Sequence, residues 1–160
     1  MNQNKTAGVK ILAQNRRATF DYTIEERFEA GIALKGSEVK SLRDGRGSIA
    51  EGYIVKRGTG ELELVNTFIP VLKQTAYFMH EEKRPRKLLL HKKEIIKILN
   101  FIAKKGYTAI PIKLYLKKGL VKLEIGLGKG KTNVDKRQDI KEKDWKREQG
   151  QLIKQYNIKT

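Results

Sequence analysis

Phe20, Tyr22 and Ile24 alternate with Thr19, Asp21, Thr23 and Glu25. A period of two sends the apolar set to one face of an extended chain. The pattern therefore predicts a half-buried strand, one of two expected across residues 18–34. The next stretch, KGSEVKSLRDG, changes period. Val39 and Leu42 share a helical face, Ser37 is placed to cap the start, and Gly45 supplies the stop.

Residues 49–68 predict a hairpin, with IAEGYIVKR and ELELVNTF flanking Gly58-Thr59-Gly60. Pro70 opens a loop that runs to about Pro85. HKKEIIKILNFIAKKG, residues 91–106, is the clearest helix, because Ile95, Ile98, Leu99 and Ile102 recur at i, i+3, i+4 and i+7. His91 is placed as its N-cap, Glu94 as a capping-box partner and Gly106 as its stop. YTAIPIKLYL and LVKLEIGL predict a second hairpin about Lys117-Lys118-Gly119. Pro111 cannot donate to a ladder, so its strand is expected to start late or to lie at an edge.

The pattern adds up to a mainly β chain: about six short antiparallel strands with two or three short helices. Strands of this kind favour a small closed or partly open barrel, the class that includes oligonucleotide-binding barrels. Residues 1–14 read as a flexible N-terminal arm and 15–127 as the barrel. From Gly128 to Thr160 the apolar positions thin out, and ten Lys/Arg face five Asp/Glu. This segment reads as a basic tail that cannot order itself alone. Asp139 with Lys143 and Glu142 with Lys146 are acid-before-base pairs at helical spacing, so a helical bound form is expected.

Charge decides the class of partner. The 160 residues carry 35 Lys+Arg against 18 Asp+Glu, a formal net charge of +17. Self-repulsion of that size does nothing for a fold, and points to a polyanion. Nucleic acid comes first. An anionic membrane comes second, and no long basic helix with an opposite apolar face supports it. There are no cysteines and only two histidines, His80 and His91, so neither a disulfide framework nor a metal site is expected. No span-length apolar run and no secretory leader is seen at the start, which predicts a cytoplasmic protein; no cofactor is expected either.

Gly130-Lys131-Thr132 looks like the end of a nucleotide phosphate loop. That motif needs a glycine five positions before Gly130, where Ile125 stands, and a parallel strand–helix setting that this chain does not predict. The stretch GLGKGKTN instead reads as a hinge between the last strand and the tail. Glu25, Glu26, Glu29 and Glu38 could pair for acid–base work, but they read more simply as solvated charges. The strongest basic signal is KRPRKLLLHKK, residues 83–93, with six Lys/Arg and no acid. Pro85 holds it extended, so Arg84, Arg86 and Lys87 are expected to fan outwards toward RNA. Asn15-Arg16-Arg17 is a second basic spot. Trp145, the only tryptophan, sits in the tail and wants a base, a groove or a pocket.

Several separated segments, in order, carry a resemblance. NRRA (15–18), FEAGIALKGSEVKSLRDGR (28–46), RPRKLLLHKKEI (84–95), KGYT (105–108), PIKLYLKKGLVKLEI (111–125) and GKGKTNVDKRQDIKEKDWKRE (128–148) resemble the SmpB family, the SsrA-binding proteins of bacterial trans-translation. The resemblance implies an oligonucleotide-binding-like barrel without catalytic activity. It implies an adaptor that binds the tRNA-like domain of tmRNA and brings it to stalled ribosomes. The tail would enter the empty mRNA channel near the small-subunit decoding centre. Matched by position, Asn15, Glu29, Arg86, Lys87 and Leu90 would lie in or beside the tmRNA surface, flanked by Arg16, Arg17, Arg84, His91 and Lys92. Gly130, Lys131, Asp135, Lys136 and Arg137 match the tail motif, and Lys129, Lys141, Lys143, Trp145, Lys146 and Arg147 extend it. Thr132 stands where the family commonly has lysine, and Val134 where it has an aromatic or histidine. Met79 and Glu82 depart likewise, from Asn and Pro. The partners implied are tmRNA and the ribosome, with no membrane and a monomeric free chain. A general RNA chaperone is the alternative.

Overall fold

A computed structural model describes residues 8–73 and 79–159. Its strands are β1 (Val9–Gln14), β2 (Tyr22–Ile32), β3 (Tyr53–Arg57), β4 (Glu61–Val65), β5 (Arg86–Leu89), β6 (Tyr107–Lys117) and β7 (Leu120–Gly130). Its helices are α1 (Ala18–Asp21), α2 (Gly36–Arg43), α3 (Lys92–Ile102) and α4 (Asn133–Lys159). All strand pairs are antiparallel, in the order β1-β6-β7-β2-β5-β4-β3.

The sheet curls where three of its strands carry bulges: in β1 between Ile11 and Ala13, in β2 between Ile24 and Glu26, and in β6 between Pro111 and Lys113. The curl brings β3 round to face β6 without a ladder between them, so the barrel is partly open. Its interior is filled by Leu12, Ala30, Ile32, Leu62, Leu64, Leu88, Leu114, Leu123, Ile125 and Leu127. Ile98 of α3 is fully buried in the same core.

Three sequence expectations change here. The polar first 14 residues do not all form an arm: Val9–Gln14 buries Leu12 and Ala13 and pairs with β6 as β1, which with the unexpected β5 brings the strands to seven. Residues 1–7 lie outside the described residues. Residues 18–34 give a single helical turn and one 11-residue strand rather than two strands. β6 is no edge strand, since it lies between β1 and β7. Pro111 is tolerated there because it sits at the bulge.

The turn of the β6–β7 hairpin has positive φ at both Lys118 (51°) and Gly119 (78°). This is the two-residue geometry that matches the twist of paired strands. Gly126 and Gly128 are not a hinge. They are buried inside β7, and a Cβ at Gly128 would stand 2.3 Å from the Thr23 carbonyl oxygen. Glycine is needed there so that β2 can bend across β7 at its bulge. The barrel thus runs through Gly130. The chain beyond it, expected to be disordered when free, forms the continuous helix α4. Residues 141–149 and 151–157 of α4 are exposed, so the helix buries side chains against the barrel mainly in its first two turns.

Candidate nucleic-acid interface

β5 alternates. Arg86 and Leu88 point into the barrel, while Lys87 and Leu89 point out. The expected fan of three cations is therefore not formed. Arg86 is fully buried, and Nε donates to Glu38 Oε2 at 2.6 Å. Nη1 donates to the Thr67 carbonyl and hydroxyl, each at 2.9 Å, and Nη2 to the Glu82 carbonyl at 3.0 Å. With all three guanidinium nitrogens engaged internally and the side chain sealed from water, Arg86 ties strands and loop together and offers nothing to RNA. Arg84, half-buried, donates Nε to Glu38 Oε1 at 2.8 Å. Burial pushes the Glu38 carboxyl up, and the hydrogen bonds from Arg86, Arg84 and the Lys35 N–H pull it down; the pull wins. Glu38 is thus no solvated strand charge. It is a buried helix residue that gathers two arginines.

Ser37, expected as the N-cap of α2, lies inside the helix, which Lys35 caps. Its hydroxyl instead meets Nδ1 of the buried His80 at 2.8 Å, and His80 Nε2 meets the Ile69 carbonyl at 2.8 Å. A carbonyl only accepts, so Nε2 carries a proton, and in the neutral ring Nδ1 then accepts from Ser37.

Lys87 remains exposed, in a surface pair with Glu61 at 2.8 Å that is easily exchanged for phosphate. Gly31 of β2 pairs with Leu89 of β5, and this brings Glu29, Leu90 and His91 to one open cleft with Lys122. Lys92 is exposed at the start of α3, beside that cleft. His91 takes the N-cap position of α3 as expected, but its side chain makes no capping bond. Glu29 accepts from the Tyr115 hydroxyl and from Lys117 Nζ at 3.3 Å. These bonds, Tyr115 first, hold its carboxyl below the usual range, so it is an ionised acceptor ringed by donors. Arg27 and Lys113 meet Glu124 at 3.1 and 3.5 Å on the same outer face. Asn15 and Arg17 line a different cleft from Glu29. Asn15 is buried, and its Nδ2 donates to the Pro111 carbonyl at 3.1 Å, whereas Arg16 and Arg17 are exposed.

The tail begins with a reciprocal cap. Thr132 N–H and hydroxyl donate to Asp135 Oδ2 at 3.1 and 2.7 Å, and Asp135 N–H donates to Thr132 Oγ1 at 3.3 Å. The Lys131 N–H donates to the Asp21 carbonyl at 2.8 Å, and its ammonium to the Thr19 carbonyl at 2.9 Å and to Asp139. These N–H groups are committed to the protein, unlike those of a nucleotide loop. Lys136 Nζ reaches Asp21 Oδ1 at 3.2 Å, and Lys136 and Lys143 flank the Phe20 ring at 5.8 and 5.6 Å. Lys129 sits 6.0 Å from the Tyr107 ring centre. Arg137, Lys141, Trp145, Lys146 and Arg147 are exposed, and Gly130 closes β7.

Glu38, Tyr115, Asp21 and Thr132 were not singled out as site-forming from sequence. Only Thr132 had a readable signal, the Thr-x-x-Asp spacing of a capping box. The others act through partners 48, 86 and 115 positions away.

Comparison with known proteins places this geometry. The SsrA-binding proteins of Parvibaculum lavamentivorans and Rickettsia bellii are 52% and 53% identical to the chain. The alignments cover 92% and 91% of the chain, and 90% and 97% of those relatives. The Zymomonas mobilis SsrA-binding protein is 51% identical, over 91% of each. A chain in a solved structure described as "tmRNA-SmpB: a journey to the center of the bacterial ribosome" superposes with a TM-score of 0.64. It is 42% identical, over 79% of this chain and 87% of its own. The family model described as SmpB protein matches residues 12–155, and with that extent of agreement the chain belongs to the SmpB family.

Proposed function

We propose that this chain is an RNA-binding adaptor of ribosome rescue. It binds the tRNA-like domain of tmRNA and carries it, in the cytoplasm, to ribosomes stalled without a stop codon. The observation that carries this reading is the near end-to-end similarity to SsrA-binding proteins of a chain with a net charge of +17. The outer face of the barrel would hold the RNA. Lys87, Lys92, Lys122 and Lys117 supply phosphate contacts, and Glu29 and Leu90 meet ribose or base groups of looped RNA. Arg16 and Arg17 would add contacts at the second cleft, and Arg84 and Arg86 would support the surface from beneath. Residues from Lys129 onward would serve the ribosome. Arg137, Lys141, Lys146 and Arg147 would meet ribosomal phosphates, and Trp145 would stack or insert. The adaptor would bring no chemistry of its own.

The test is equilibrium binding to the tRNA-like domain of tmRNA and to a control tRNA of similar length. It is run at about 150–200 mM salt, where non-specific ionic attraction fades. A clear preference for the tmRNA fragment is expected. Equal affinity for the two would leave only a general RNA-binding protein.

A further inference from the structure

The barrel fails to close where β3 faces β6, and a cleft of about 310 Å³ opens at that seam. Its chemistry is uneven. Two tyrosines line it: Tyr53, 52% exposed, and the half-buried Tyr22. Arg17 lines it too and is exposed to solvent. Its other polar groups are mostly acceptors. Asp21 is already committed to Lys136 and, at 3.9 Å, to Arg17. Glu51 is exposed and makes no ion pair with any described residue, in a protein with cations to spare. Asn15, buried to all but 7%, has an Oδ1 with no hydrogen-bond partner among the described residues.

Two tyrosines suit a planar ligand, an unpaired carboxylate suits donors, and a cation suits a phosphate. Among the nucleobases only guanine sets two donors side by side on its pairing edge, N1–H and the N2 amino group. Adenine and cytosine place an acceptor beside their amino group, and uracil flanks its N3–H with two carbonyls. Each of these three would press a lone pair against a carboxylate.

We propose that this cleft is a subsite for one unstacked guanine of a bound RNA. Glu51 accepts N1–H and N2–H, Tyr53 and Tyr22 stack the ring, and Arg17 holds the adjoining phosphate. The assignment rests on the RNA-binding reading above and adds a base preference to it. It also gives Asn15 a place in that reading as a wall of the cleft.

The test uses the full chain and labelled single-stranded pentaribonucleotides UUGUU, UUIUU and UUAUU, followed by fluorescence anisotropy. Guanosine and adenosine 5′-monophosphates, followed by NMR shifts of the Tyr53 and Thr108 amides, give a second readout. UUGUU should bind about tenfold or more tighter than UUAUU, the size of one good bidentate base contact. Inosine, which lacks the amino group, should fall between. Glu51→Gln should erase the preference, whereas Tyr53→Ala should weaken all three and keep their order. Both side chains are exposed, so both variants should fold as the parent does, which circular dichroism checks. Equal affinities, no binding, or a preference that survives Glu51→Gln overturns the subsite. If the tmRNA fragment still beats control tRNA in that event, only the subsite falls. If that preference fails too, the adaptor reading falls with it.

Discussion

Glu38 of α2 and Arg86 of β5, 48 positions apart, meet at 2.6 Å with both side chains fully removed from water. Each charge is desolvated, so neither can lose the other cheaply. Glu38→Gln would leave two arginines competing for a neutral oxygen, with a loss of about 3–5 kcal/mol expected in urea unfolding. The pH dependence has a definite sign. The folded pKa of Glu38 lies below its unfolded value, so its contribution is full above the ordinary carboxylate range. It disappears as pH falls through the lower, folded value. In Glu38→Gln that acid-side decline should flatten.

Arg86 and Lys87 are neighbours in sequence and should differ in kind. Lys87→Ala should leave the melting temperature unchanged and reduce the slope of log affinity against log salt by roughly one phosphate contact. Arg86→Ala should lower the melting temperature, and where the protein stays folded its salt slope should match the parent's.

Gly128 and Gly130 give a second contrast. An added Cβ at Gly128 meets a backbone oxygen that cannot move aside, so Gly128→Ala should cost about 3 kcal/mol, at the upper end for overpacking. At Gly130 the nearest atom stands 4.0 Å away, and alanine there should be neutral. Urea titrations of the two variants check both.

Tyr115 donates to Glu29, and burial, joined by the Glu29 contact, pushes the phenol pKa well up. Tyr115→Phe removes the largest pull on the Glu29 carboxyl, which should then titrate at a higher pH in carboxyl-carbon NMR. An unmoved titration would mean that Lys117 and Lys122 do the holding.

The tail should separate from the barrel in behaviour. Amides of residues 145–157 should exchange with solvent quickly while those of β6 and β7 stay protected, because the outer helix buries little. Asp21→Ala removes the carboxylate that holds Lys136 and should extend fast exchange toward residue 133. Thr132→Ala should do so from the cap. Truncation after Gly130 should keep tmRNA affinity and abolish trans-translation on stalled ribosomes.

What sequence made legible was local. The strand periods, the Lys118-Gly119 turn and the 3.6 period of α3 are written within a few residues of where they act. The placement of Arg86 was not. A basic run before an apolar one looks the same whether its arginine turns in or out. The choice was made by Glu38, which has no neighbour in sequence to betray it. Val9–Gln14 was missed for a similar reason, since its pairing partner lies about 100 residues away. GLGKG looked like a hinge because glycine serves both freedom and close contact, and only the Thr23 carbonyl distinguishes them.

Only Lys131 and Thr132 separate the last strand from α4, and both are pinned. While it is helical, α4 is therefore a lever rooted in the sheet. Its 27 residues, at 1.5 Å each, extend about 40 Å. A ten-degree tilt of β7 against whatever grips the barrel would swing the far end by roughly 7 Å. How the barrel is seated would then aim the tail, without any residue of the tail taking part in the choice.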